Sequence, residues 1–202
     1  MNIGIDVDGV LVDMEGYQLK HGTEYFKKVH NKSVVNPTAY DIEQIFECTH
    51  EEREKFWRKY IWAYCLKEPV MNNATEVIAR LRKKGHKIFI ITSRAHTTEH
   101  NLIGVVFRWM LKYWLKKNHI VYDSLIYCSE RDSSSDKYKV CVECNVDVMI
   151  DDKLENLIPL VGKIIPLCYS AAWNRNAKDN NLFLVNDWNH IYTRILEFES
   201  VL

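Results

Sequence analysis

Residues 2–13 read N-I-G-I-D-V-D-G-V-L-V-D. A short β-branched run that stops at acidic residues and a glycine has the pattern of a buried strand ending in a turn. Asp6 and Asp8 then stand at the carboxyl end of that strand, two residues apart.

Four more runs of the same kind follow: K-I-F-I-I-T-S at 87–93, S-L-I-Y-C-S at 124–129, V-D-V-M-I at 146–150 and K-I-I-P-L-C-Y at 163–169. Helical patterns separate them, including A-T-E-V-I-A-R-L-R-K-K-G at 74–85 with Gly85 as its stop, a long stretch over 99–118 and a helix around 136–145. D-S-S-S-D at 132–136 reads as a polar loop before that last helix. Strands alternating with helices predict an α/β fold, a Rossmann-like parallel sheet flanked by helices. Ligands of such sheets bind beyond the carboxyl ends of the strands.

Residues 16–71 break the alternation. No strand pattern appears there, and aromatic side chains crowd I-F-E-C-T-H-E-E-R-E-K-F-W-R-K-Y-I-W-A-Y-C-L-K-E-P at 45–69. The expected organisation is a core of residues 1–15 and 72–202 with a helical cap inserted at 16–71, a candidate lid.

Among 202 residues, 47% are apolar, enough for a packed core. Lys plus Arg and Asp plus Glu both number 27, so no net field favours a nucleic acid polymer or an anionic membrane. The N-terminus has no signal-peptide pattern and no stretch has the 18 apolar residues of a membrane span, so a cytoplasmic protein is expected. The six cysteines are too sparse for a disulfide framework and are read as free thiols. Cys141 and Cys144 form a C-x-x-C without a second pair or nearby His to complete a zinc set.

The strand ends carry Asp6 and Asp8, Thr92 and Ser93, and Asp151 and Asp152. Four converging carboxylates repel one another unless a cation neutralises them, and hard oxygen donors select magnesium. Singly, each residue has a plainer reading: Asp8 before Gly9 as a turn, Thr92 or the 151–152 pair as a helix cap. Their joint occurrence in strand order is harder to explain that way.

D-V-D-G-V-L-V-D at 6–13, I-I-T-S at 90–93, Lys137 opening a helix and I-D-D at 150–152 resemble, in that order, the four motifs of the haloacid dehalogenase superfamily. Within it the chain looks like the 5′(3′)-deoxyribonucleotidase-like group, on Asp13 with Glu15 after the first motif and on the position of the helical insertion. The resemblance implies a magnesium-dependent phosphatase. Asp6 would be the phosphate-accepting nucleophile and a metal ligand, and Asp8 the acid-base, with its carbonyl a second ligand. Thr92, the Ser93 amide and Lys137 would bind phosphate, Lys139 being the competitor of Lys137. Asp152 would be the direct magnesium ligand and Asp151 the water-mediated one.

The expected substrate is a small phosphate monoester, first a nucleoside monophosphate. A base could stack on an aromatic of the cap. Phe46, Phe56, Trp57, Tyr60, Trp62 and Tyr64 are the candidates, with Phe46, Trp57 and Trp62 put first, and Arg94 either assists phosphate or caps the loop after the second motif. His96 and His100 have helical zinc spacing but lack H-E-x-x-H. The competing readings are a phosphatase of a sugar phosphate or other metabolite, and a non-catalytic binding protein of the same fold. Oligomeric state is not readable from the sequence.

Overall fold

The computed structural model describes residues 1–200. Six strands form one parallel sheet: β1 (Asn2–Ile5), β2 (Lys87–Thr92), β3 (Ser124–Tyr127), β4 (Val148–Asp151), β5 (Ile165–Tyr169) and β6 (Phe183–Val185), in the order β3-β2-β1-β4-β5-β6. The chain leaves β1 towards one edge and returns beside it towards the other, so the order reverses at β1. A crevice opens at the strand ends at such a point.

Both faces of the sheet are covered, which is why its strands are apolar throughout rather than alternating. Ile3, Ile5, Ile88, Ile90, Val148, Ile150 and Leu167 point to one face. There they meet Val77, Ile78 and Leu81 of α4 (Ala74–Lys83), Met110, Leu111 and Trp114 of α5 (Leu102–Lys117), and Trp188, Ile191 and Ile195 of α8 (Trp188–Glu199). Ile91, Met149 and Cys168 point to the other, against Cys141 of α6 (Ser133–Glu143) and Leu157 of α7 (Leu154–Leu157).

Between β1 and α4 lie α1 (Met14–His30), α2 (Ile42–Phe46) and α3 (His50–Lys67). They carry a cluster of their own, built from Tyr25, Phe26, Ile42, Ile45, Phe46 and Phe56. Tyr17, Tyr64 and Cys65 instead pack into the main core, so the roots of α1 and α3 are anchored to the sheet layer. A reciprocal Thr49–Glu52 capping box starts α3.

Two sequence expectations are corrected. D-S-S-S-D is not a loop: α6 starts at Ser133, because Ser133 Oγ and Ser134 Oγ bond to Asn156 Oδ1 and the Glu155 carbonyl and so do not compete with the helix backbone. β6 was not expected, since three residues at a sheet edge give almost no periodic signal. All six cysteines are free thiols. Among the described residues, no helix is long and apolar enough to cross a membrane.

Candidate active site

The loop after β1 is drawn into a tight coil by its own backbone. Leu11 N and Val12 N donate to the Val7 carbonyl at 2.9 and 3.0 Å, and Gly9 N donates to the Val12 carbonyl at 2.9 Å. Trp188 Nε1 donates to the Val10 carbonyl at 3.2 Å and ties the coil to α8. Asp6 stands at its start, its amide bonded to the Ile150 carbonyl at 2.9 Å, which sets it beside the end of β4.

Lys137 reaches this place from α6. Its ammonium lies 2.9 Å from Asp6 Oδ1 and 2.6 Å from Asp151 Oδ2, and the residue is 1% exposed. Burial alone would push its pKa down, but the two carboxylates outweigh that and hold it above the usual lysine range. Lys139 is solvent-facing, 4.0 Å from Asp136. Asp151 is saturated: besides Lys137 it accepts from Lys153 N at 2.9 Å and from Asn156 Nδ2 at 3.1 and 3.0 Å. Asn156 in turn accepts from Ser133, whose hydroxyl lies 2.8 Å from that of Ser93.

Asp152 is the opposite case. Both of its carboxylate oxygens are buried and have no hydrogen-bond partner. Its main chain is firmly held, the carbonyl accepting from Asn174 Nδ2 at 2.7 Å and Trp173 Nε1 at 3.2 Å. Oxygens of Asp6, Asp151 and Asp152 lie within 4.8 Å of one another. Burial, then the charges of Asp151 and Asp6, push the Asp152 pKa well above the carboxylate range. Burial likewise pushes Asp6 up to about 6, Lys137 opposing and Asp151 and Asp8 adding. Two buried carboxyl groups with unspent oxygen lone pairs are the donor set of a hard divalent cation, which favours their ionised forms, so these residues fit magnesium.

Asp8 is held separately. Arg94 Nη2 donates to Oδ1 at 2.5 Å, Arg94 Nε reaches Oδ1 at 3.0 Å and Oδ2 at 3.2 Å, and Tyr64 OH donates to Oδ1 at 2.6 Å. Burial pushes the Asp8 pKa up, but the Arg94 guanidinium, its hydrogen bonds and that of Tyr64 prevail and hold it below the usual value. Thr92 is fully buried, and its hydroxyl oxygen accepts from Arg94 N at 3.2 Å.

The structure thus brings Asp6, Asp8, Thr92, Arg94, Lys137, Asp151 and Asp152 together, with Ser93 linked to Asp151 through Ser133 and Asn156. Phe46 lies elsewhere: it is 1% exposed, stacked on Phe26 at 4.7 Å, with its edge against Gly22, where a Cβ would lie 2.5 Å away. Trp57 packs on Tyr17 and Tyr64 at the root of α3, and Trp62 is half exposed beside Phe107. His96 and His100 precede α5 rather than riding on it, and His96 Nδ1 pairs with Glu99.

Two aromatics not singled out in the sequence stand at the carboxylates. Tyr40 lies between α1 and α2, its ring 5.0 Å from Trp173 and capped by Lys153 Nζ at 4.0 Å. Its phenol pKa is pushed well above 10 by burial and then by Asp152, Asp8, Asp6 and Asp151. Trp173 follows β5 in a short 3₁₀ turn. In the sequence Tyr40 is an aromatic in a polar loop, and Trp173 lies in L-C-Y-S-A-A-W-N-R-N at 167–176, a run that resembles the nucleotidase group without marking a site residue.

Several known proteins are similar to this chain. A nucleotidase from Clostridium acetobutylicum is 25% identical over 193 residues, covering 95% of this chain and 92% of that protein. The crystal structure of a predicted phosphatase from Clostridium acetobutylicum superposes with a TM-score of 0.67 at 15% identity, covering 97% and 98% of the two chains. That of a D,D-heptose 1,7-bisphosphate phosphatase from B. bronchiseptica, complexed with magnesium and phosphate, gives 0.55 at 12% identity, covering 98% and 99%. The family model described as 5′ nucleotidase, deoxy (pyrimidine), cytosolic type C protein matches residues 1–200, and the chain therefore belongs to that family and is a phosphatase of the haloacid dehalogenase fold.

Proposed function

We propose that the chain is a magnesium-dependent phosphomonoesterase that works through an aspartyl-phosphate on Asp6 and acts as a 5′-nucleotidase on (deoxy)nucleoside monophosphates. The observation that carries this reading is the placement of Asp6 between buried Lys137 at 2.9 Å and the unpartnered carboxylate of Asp152. A carboxylate attacks a phosphate dianion only when nearby cations screen the repulsion.

In the first half-reaction an Asp6 oxygen bonds to phosphorus as the ester oxygen leaves and takes a proton from Asp8. In the second, water gives a proton to Asp8 and attacks the same phosphorus, releasing inorganic phosphate and the free Asp6 carboxylate. Thr92 and the Ser93 amide hold phosphate oxygens, and Lys137 neutralises charge on Asp6 and on the transferred group. Asp6, Asp152 and the Asp8 carbonyl, with Asp151 behind them, would hold magnesium, which would supply charge screening at the phosphate.

The family, the name of the Clostridium acetobutylicum relative and the Tyr40–Trp173 pair support a nucleotide as substrate. Magnesium is supported by the empty valences of Asp152 and by the bound ions of the heptose bisphosphate phosphatase that shares the fold. Assaying phosphate release from a panel of monoesters with magnesium tests the reading. Nucleoside 5′-monophosphates should give the highest kcat/KM. A sugar phosphate preferred about 10-fold or more would move the substrate class, and no turnover of any ester would remove the reading.

A further inference from the structure

Arg94 is 4% exposed; its Nε and Nη2 donate to Asp8, while its buried Nη1 has no partner. Its main chain is pinned on both sides: the amide donates to Thr92 Oγ1, and the carbonyl accepts from the buried Thr97 hydroxyl at 2.7 Å. The guanidinium carbon lies 5.1 Å from the centre of the Tyr64 ring, whose hydroxyl bonds to the same Asp8 oxygen. A guanidinium buried this deeply requires a fixed anion, and the planar fork fixes that anion's orientation in return.

The donors are unevenly shared. Oδ1 of Asp8 receives Arg94 Nη2 at 2.5 Å, Tyr64 OH at 2.6 Å and Arg94 Nε at 3.0 Å, whereas Oδ2 receives only the distant arm of Nε at 3.2 Å. Oδ1 has no capacity left. We infer that Arg94 and Tyr64 are positioning residues for Asp8, clamping Oδ1 so that Oδ2 is the oxygen that exchanges protons with the leaving group and then with water. This rests on the acid-base role of Asp8 proposed above. Because Tyr64 belongs to α3, the seat of the helical insertion enters the aim of the acid-base directly.

The test separates the two half-reactions with p-nitrophenyl phosphate, whose leaving group departs without a proton, and with a nucleoside 5′-monophosphate, whose alkoxide needs one. Magnesium-loaded wild type, Arg94→Ala, Arg94→Lys and Tyr64→Phe are followed by rapid mixing. With Asp8 misaimed, the first nitrophenolate per enzyme should appear at a rate within about 3-fold of wild type, while the steady state falls about 10- to 100-fold, part of the usual worth of general acid-base catalysis. The nucleotide should lose rate already in its first turnover. Arg94→Lys should fall between wild type and Arg94→Ala, and inhibition by inorganic phosphate should be unchanged.

Weakening of phosphate inhibition by about 10-fold or more, with first turnover and steady state falling together, would make Arg94 a phosphate ligand and overturn the inference. If Arg94→Ala does not fold, Tyr64→Phe decides: a slowed steady state after a normal first turnover supports the clamp, and uniform slowing or no change overturns it. Wild type that turns over neither ester would instead remove the phosphatase mechanism, and this is seen before any variant is mixed.

Discussion

Gly9 lies against Asp152: a Cβ on Gly9 would stand 2.3 Å from Asp152 Oδ2, and the residue has φ +81°. The first side of the site is therefore shaped by an absent side chain. Only glycine meets both the space and the left-handed backbone at this point.

Gly9→Ala should displace the Asp152 carboxylate and strain the coil. The magnesium concentration for half-maximal activity should rise about 10- to 100-fold, the usual scale for disturbing the orientation of a metal ligand. A magnesium titration of phosphate release checks this. Unchanged magnesium dependence would mean that Asp152 is not a ligand.

The pH dependence follows from the sign of two shifts. The pKa of Asp6 is raised to about 6 and that of Asp152 is raised too, both above their unfolded values, so the stability they contribute is full below the unfolded pKa. It is lost as pH rises through about 6 for Asp6, and as pH rises through its own raised pKa for Asp152. Magnesium requires the ionised forms, so the rise in Tm on adding magnesium should be larger near pH 7.5 than near pH 5.5. In the metal-free protein, Asp152→Asn should lose less Tm over that interval than wild type. Thermal unfolding at the two pH values measures both, and equal magnesium shifts would contradict the assignment.

Tyr40 and Trp173 form an aromatic wall beside Asp152. If a base stacks on them, replacing either with Ala should raise the KM for nucleotides far more than for p-nitrophenyl phosphate. Stacking one base is worth about 1–3 kcal/mol, a factor of about 5 to 150. Equal losses for both esters would assign these rings to holding the loop on Asp152.

Much of the site was legible because parallel strands end on one side: Asp6, Thr92 and Asp151 each close an apolar run, and adjacency in the sheet brings them together. Lys137 was legible only through the family resemblance, which carries a lysine at this distance before the acidic pair, since a lysine opening a helix otherwise reads as solvated. Tyr40, Trp173 and Asn156 were not legible. They sit in loops or short turns, and what makes them part of the site is a contact across the fold. In α3, Phe56, Trp57, Tyr60, Trp62 and Tyr64 spread around the helix, and periodicity could not tell the interior Phe56 from Tyr64 on Asp8. The three-residue β6 escaped because its period is too short to count.

Asp6 as the nucleophile is the step on which the proposed mechanism turns. The most direct measurement is phosphate release by Asp6→Asn with magnesium, on the best ester of the panel, beside its thermal unfolding. The amide keeps the shape but cannot accept a phosphoryl group, so turnover should fall by at least about 10⁴-fold, the scale on which removing a covalent nucleophile acts, while the Tm of the metal-free protein stays at or above that of metal-free wild type. Turnover near the wild-type rate in a folded Asp6→Asn protein would contradict the mechanism.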